Sequence, residues 1–123
     1  MIRLGLMVMT AGLGVAGPLL SQATPGLWEL RRIPDGKPVR QCVADVAALA
    51  QVERSSEKCA RNLVSRDGAT SVFRYHCPPG DFGQSTLTVV TPRSLTIETQ
   101  GISRGLPFNY VVNARRIGEC GAR

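Results

Sequence analysis

Residues able to act as nucleophiles, acids or bases are present in this chain, but their spacing forms no catalytic motif. His76 is the only histidine, and it would be the side chain best suited to act as a general base or a metal ligand. It lies in a predicted strand beside Cys77, with no second ligand near it in the sequence. The chain has neither a G-x-S-x-G segment nor a phosphate-binding glycine loop followed by lysine. We therefore expect no catalytic residue, no metal and no cofactor.

The carboxylates are spread along the chain rather than paired. No two acidic residues are adjacent, whereas glycosidase chemistry needs two carboxyl groups flanking the scissile bond. Pairing in three dimensions stays open at this point, and a hydrolase is the least favoured of the functions considered. The nine acidic residues are Glu29, Asp35, Asp45, Glu53, Glu57, Asp67, Asp81, Glu98 and Glu119.

Four arginines form a candidate anion-binding patch: Arg31, Arg32, Arg115 and Arg116. If the first and last strands are neighbours, two or more of these side chains would bind an anionic headgroup or carboxylate, because guanidinium groups pair with such anions. The alternative is that the arginines protect exposed strand edges and aid solubility.

Trp28 is the only tryptophan, and it alternates in phase with Leu30. A lone tryptophan in a small β-domain either stacks on a ligand or anchors the core. The shared phase with Leu30 favours a core anchor.

Four cysteines are separated by 17, 18 and 43 residues, without the close pairs typical of zinc sites. An even number in an exported chain indicates two disulfides, for which three connectivities exist. Cys59 and Cys77 begin and end a predicted hairpin centred on an Asp-Gly turn, and a register that pairs Leu63 with Phe73 and Ser65 with Ser71 places the two cysteines opposite each other. That register needs a bulge, which a turn glycine can supply. We therefore predict Cys59–Cys77 and, by elimination, Cys42–Cys120.

Short runs rich in valine, threonine and aromatic residues predict an antiparallel meander. The predicted strands cover 27–33, 38–43, 60–65, 70–77, 84–91, 94–100 and 108–117, with loops at 78–83 and 101–107. One alanine-rich segment, about 44–53, has helical periodicity. The predicted fold is mainly β: a single curved sheet or small open barrel, with one short helix and two disulfides.

The first 23 residues have the layout of a secretory signal peptide. Arg3 precedes an uncharged stretch, and Ser21-Gln22-Ala23 offers small residues before the cleavage point. A retained membrane anchor is the alternative, although the apolar run is shorter than the roughly 20 residues that span a bilayer. We predict cleavage after Ala23 and a mature chain, 24–123, that forms one domain and does not span the membrane.

The chain is basic, with a formal net charge of +6. Export removes nucleic acid as an expected partner, so lipid headgroups, lipopolysaccharide and cell-wall polymers are the anions such a protein would meet. Solubility alone is the other explanation for the charge.

Three segments carry a resemblance to a known family. PGLWEL follows the leader, RQCV lies at 40–43, and ARRIGEC lies at 114–120, with two cysteines between the last two segments. In this order they resemble a family of small exported proteobacterial proteins catalogued as a domain of unknown function. The resemblance implies an exported, disulfide-bonded, β-rich domain, and it implies no activity.

The sequence favours a non-catalytic periplasmic domain that binds a small ligand or an envelope component, and we expect it to be a monomer. A structural or stress-related envelope protein without a dedicated ligand is the second hypothesis. An apolar cavity with a few polar groups would favour binding over a structural role.

Overall fold

The computed structural model describes residues 18–121. Most of the predicted signal peptide, residues 1–17, lies outside the described residues. The predicted cleavage point after Ala23 and the predicted mature domain up to residue 121 lie within them.

Seven antiparallel strands form one open sheet within residues 18–121, in the order β2-β1-β7-β6-β5-β4-β3. This confirms the mainly β prediction. The first and last strands of the chain are neighbours, as the arginine hypothesis requires. The strands are β1 Gly26–Ile33, β2 Val39–Val43, β3 Ala60–Asp67, β4 Thr70–Cys77, β5 Asp81–Thr91, β6 Ser94–Ser103 and β7 Leu106–Gly118.

The later strands are longer than predicted, and the loops between them are correspondingly shorter. β5 begins at Asp81, inside the predicted 78–83 loop, and β6 continues to Ser103. Ser103 pairs with Leu106 across a two-residue turn of Arg104 and Gly105, whose φ angles are 53° and 80°. Positive φ at both central residues is what closes a tight hairpin, and glycine adopts it readily.

A single nine-residue helix, Val46–Arg54, connects β2 to β3 and lies on one face of the sheet. We call it the covering helix and the face that it contacts the inner face. The predicted segment is confirmed as helical, but its turns are of the 3-10 type. Asp45 caps the first turn by accepting a hydrogen bond from Ala47 N. Gln51 interrupts the helix with φ −118° and ψ 43°.

The core lies between the covering helix and the inner face. Trp28 is fully buried there, and its indole Nε1 donates to the Thr24 carbonyl at 3.0 Å. A buried indole N–H needs a hydrogen-bond acceptor, and the Thr24 carbonyl supplies it. The same hydrogen bond fixes the orientation of the ring. The largest fully buried apolar side chains are Trp28, Leu49, Leu87, Leu95, Ile97 and Val43.

Both predicted disulfides, Cys59–Cys77 and Cys42–Cys120, are present. In the β3–β4 hairpin, Leu63 pairs with Phe73 as predicted. The bulge lies between Leu63 and Ser65 rather than at the turn, so Ser65 pairs with Val72 and not with Ser71. The hairpin turn itself consists of Gly68 and Ala69, between paired Asp67 and Thr70, and it is tight because the extra residue has been absorbed earlier in the strand.

The end of the predicted leader packs on the domain. Leu20–Gln22 form a single 3-10 turn, which we call the N-terminal turn, and Ala23 beside it is only 5% exposed. Leu20 packs against the same core cluster, and the amide of Thr24 donates to the Pro92 carbonyl at 2.9 Å. In the folded chain the predicted cleavage point is therefore buried, and cleavage there would have to precede folding.

Loss of either disulfide is expected to destabilise the protein, and loss of Cys42–Cys120 should cost more. The bridges join residues 78 and 18 positions apart, and loop-closure entropy gives about 4.5 and about 3 kcal/mol for loops of these lengths. Urea unfolding of the Cys42→Ser/Cys120→Ser and Cys59→Ser/Cys77→Ser double variants measures the difference. A larger loss for the second pair would contradict the entropic ranking.

Removal of the N-terminal turn is expected to lower stability. A chain that begins at Thr24 exposes apolar surface that Leu20 and Ala23 cover, which at about 25 cal/mol per Å² amounts to about 1–2 kcal/mol. Urea midpoints of chains beginning at Pro18 and at Thr24 test this. The Ser21→Ala variant of the longer chain is the control, because Ser21 is exposed; equal midpoints for the two chains would contradict the expectation.

Candidate functional site

The four candidate arginines are divided between the two faces of the sheet. Successive side chains on a strand point to opposite faces. Arg31 and Arg115 lie on the outer face, where Arg115 pairs with Glu29 at 3.3 Å. Arg32 and Arg116 lie on the inner face. The four therefore do not form one patch, and an anion site made by the outer pair alone stays a prediction.

Arg116 is a structural residue of the inner face. Its Nε donates to the Pro25 carbonyl at 2.8 Å, and its side chain is 13% exposed. Gly26 has a φ of 148°, and a Cβ added there would lie 2.5 Å from Arg116 Nε. Glycine is therefore required at this position, both for its backbone conformation and for the room that it leaves to the arginine.

His76 lies on the outer face, exposed, between Ala60 of β3 and Phe82 of β5. Across residues 18–121, no three His, Cys, Asp or Glu side chains are grouped so that they could hold a metal ion.

A cluster of polar side chains fastens the end of the covering helix to the sheet. Arg54 lies 3.2 Å from Asp81 and 3.0 Å from Glu57, and Asp81 also accepts a hydrogen bond from the Arg104 amide. Gln51 is 2% exposed, and its Nε2 donates to the carbonyls of Arg54 and Glu57. Most of these groups satisfy one another, and only Arg54 Nε is buried without a partner in the cluster. We therefore assign the cluster a structural role.

The covering helix leaves part of the inner face open beside the first hairpin. There a cavity of about 360 Å³ lies between β1, β2, β7 and the second half of the helix. We call it the hairpin cleft. Its apolar floor is formed by Leu30, Val39, Val52 and Val112. Its polar rim is formed by Arg32, Lys37, Gln41, Ser55 and Tyr110.

Arg32 and Tyr110 form the charged wall of the hairpin cleft. The guanidinium carbon of Arg32 lies 3.6 Å from the centre of the Tyr110 ring, which is a cation–π contact. The Tyr110 hydroxyl donates to Glu53 Oε1 at 2.6 Å, and Arg32 lies 3.9 Å from the same oxygen. Lys37 also lies on the rim and forms no ion pair with another residue in the part of the chain that the structure describes. With Glu53 counted against the two cations, the cleft carries about one net positive charge.

The sequence pointed to Arg32 but missed its partners in the cleft. Lys37 lies between the predicted strands 27–33 and 38–43, and Tyr110 lies in the predicted last strand. Alternation in that strand placed Tyr110 in phase with buried Val112, which was the available signal. Glu53 reaches the site from the covering helix, and no local pattern indicated where that helix would lie.

Both tyrosines of the chain have raised pKa values. Burial, reinforced by the charge of Glu53, raises the pKa of Tyr75 to about 12. Burial and the hydrogen bond donated to Glu53 raise the pKa of Tyr110 above its usual range. Thr99 and Arg54 favour the ionised form of Tyr75, but they only partly offset its burial and the charge of Glu53.

None of the helices formed by residues 18–121 is long and apolar enough to cross a membrane.

A family model described as "Protein of unknown function (DUF3617)" matches residues 23–120. No curated protein and no solved structure matches the chain.

The protein is expected to lose stability above about pH 10. An unfolded tyrosine titrates near 10, whereas folded Tyr75 holds its proton to about 12. Between these values the unfolded state has released a proton that the folded state keeps, so the free energy of unfolding falls as the pH rises. Below about pH 10 the folded and unfolded states bind the same number of protons at Tyr75, so the free energy of unfolding does not change with pH through this group.

The Tyr75→Phe variant tests this, because it removes the titrating hydroxyl and keeps the buried ring. Urea midpoints at about pH 8 and about pH 11 should differ less for this variant than for the wild type. An equal loss of stability in both proteins would contradict the role assigned to Tyr75.

Proposed function

Because the chain belongs to a family of unknown function, whose model spans residues 23–120, we propose its role from the geometry: it is a non-catalytic binding domain whose hairpin cleft takes a single-chain anionic amphiphile. A carboxylate with a medium-length alkyl chain is the simplest such ligand. The observation that carries the proposal is the combination of an apolar floor with two cationic side chains on the rim.

The size and chemistry of the hairpin cleft support a small ligand. Its volume of about 360 Å³ lies at the lower end of the range for small-molecule sites, which are mostly apolar with a few polar groups. Buried Leu30 and Val112 supply a floor that an alkyl chain would cover, and half-exposed Val52 borders it. Val39 is 61% exposed, so it is free to contact a ligand without loss of core packing.

The charges favour one anionic group. Arg32 is already shared with Glu53, while Lys37 is free to contact a ligand. A monoanion would neutralise the net positive charge of the rim, whereas a cation of the same shape would be repelled. The Arg32 guanidinium stacks on the face of the Tyr110 ring. This contact already restricts the arginine side chain, so the arginine would lose less conformational entropy on binding a ligand.

The compartment is part of the same proposal. We propose that residues 1–23 are a cleaved leader and that residues 24–123 work in the periplasm. Two disulfides support this, because such bridges persist in oxidising compartments. There, free fatty acids and lipid fragments carry the required combination of one anionic group and one alkyl chain.

The test is calorimetric titration with decanoate. We expect saturable binding of decanoate and none of decyltrimethylammonium, which has the same chain length and the opposite charge. Arg32→Gln and Lys37→Gln should each weaken decanoate binding about fivefold, since one partly exposed ion pair is worth roughly 1 kcal/mol.

Arg31→Gln is the matched control. It removes the same charge one residue away, but on the outer face, and it should leave decanoate affinity unchanged. Equal weakening by Arg31→Gln would show attraction to net charge rather than a site, and equal binding of the cation would also overturn the proposal.

A further inference from the structure

We propose that the outer face of the sheet carries a second binding site, for a neutral oligosaccharide. The site lies on the opposite side of the sheet from the hairpin cleft and does not depend on it. A row of amide side chains across three strands, beside an exposed aromatic ring, carries the inference.

Three amides are aligned by strand register. Gln84 of β5 pairs with Gln100 of β6, and Gln100 pairs with Asn109 of β7. We call these three residues the amide row. Neighbouring strands lie about 4.8 Å apart, so the row extends about 10 Å, which is about the length of two hexose rings. Each amide presents a donor and an acceptor side by side, which is the pattern that adjacent sugar hydroxyls match.

Arg74 of β4 continues the row at one end and orients it. Arg74 pairs with Gln84 in register, and its Nε donates to Gln84 Oε1 at 3.1 Å. This bond fixes which end of the Gln84 amide carries the donors. The Nε2 group of Gln84 forms no side-chain hydrogen bond with any other described residue and remains available to a ligand.

A depression lies over the amide row. Its volume is about 490 Å³, and the three amides, Arg74 and Phe82 are among its lining residues. Gly83 and Gly101 are paired beneath it. A Cβ at Gly83 would lie 2.6 Å from the Tyr75 hydroxyl, and one at Gly101 would collide with the Phe82 carbonyl. Both positions therefore require glycine. Gly83 pairs with inner-face Tyr75, so a side chain at either glycine would point to the inner face. The glycines are required by packing there and do not shape the depression.

Phe82 supplies the apolar contact that sugar binding uses. Its side chain is 50% exposed on the outer face, next to the amide row in β5. The C–H faces of a pyranose ring pack against an aromatic ring, while its hydroxyls reach polar groups at the ring edge. An exposed phenylalanine beside three amides offers both kinds of contact in one place.

The charge at the site favours a neutral ligand. Arg74 lines the depression, and Glu98 lines a smaller depression shared with all three amides, so one cation and one anion border the amide row. A polyanion would be repelled by Glu98, and an alkyl chain would leave the amides without partners when it covered them. A neutral polyol satisfies the amides and requires no counter-charge.

The experiment uses neutral hexasaccharides of glucose and of N-acetylglucosamine in calorimetric titrations with the disulfide-bonded protein. We expect at least one of them to bind with a Kd of about 1 mM or tighter. Gln100→Ala, in the middle of the row, and Phe82→Ala should each weaken that binding at least about fivefold, a loss of about 1 kcal/mol.

Asn113→Ala is the control on the same face. Asn113 pairs with Thr96, away from the amide row, so its loss should leave sugar affinity unchanged, and thermal melts should show that all three variants are folded. Absence of binding to every hexasaccharide, or affinities unaffected by Gln100→Ala and Phe82→Ala, would overturn the proposal. Decanoate binding should be unaffected by either variant, so failure at this site is distinguishable from failure at the hairpin cleft.

Discussion

The structure depends on one helix covering the inner face of a seven-stranded sheet. A nine-residue helix is too short to cover that face alone, and it has few intrahelical hydrogen bonds to hold it in shape. It is held by polar contacts with the sheet. Ser85 donates to the Ala50 carbonyl at 2.5 Å in the core, and Arg54 reaches Asp81 at the start of β5. These polar contacts fix the position of the helix more tightly than apolar packing would, because buried donors and acceptors must keep a specific geometry to stay paired.

The position of the covering helix determines where the sheet is left open. The helix lies closest to β2, β4, β5 and β6, and it reaches β7 and β1 only through Glu53, which contacts Tyr110 and Arg32. On one side of it, over β1, β2 and β7, the inner face is open and forms the hairpin cleft. On the other side the N-terminal turn fills part of the space, with Leu20 and Ala23 against the core. Beside that turn a cavity of about 350 Å³ is lined by Leu20, Ala23 and Ser71, so this flank is packed less completely than the centre.

Local patterns in the sequence were sufficient for the sheet but not for the site. Alternation and turn residues predicted seven strands, and the hairpin register predicted both disulfides, because these features depend on neighbours in sequence. The bulge at Val64 and the short Arg104–Gly105 turn were not predicted, because they depend on how paired strands bend against one another. We predicted the four arginines as one candidate patch, although alternation along each strand was enough to predict their split between the two faces. The meeting of Arg32, Tyr110 and Glu53 could not be predicted, because it depends on where the covering helix settles.

The segments that marked the family resemblance have a structural explanation. Pro25 and Gly26 of PGLWEL receive the Arg116 side chain of ARRIGEC, and Cys42 of RQCV is bonded to Cys120. These segments therefore fasten β2, β1 and β7 together at the ends of the chain. Lys37, Val39 and Tyr110 of the hairpin cleft lie outside all three segments, as do the amide row and Phe82. Under the two binding proposals, a change in those residues would alter ligand specificity without disturbing the contacts that hold β2, β1 and β7 together.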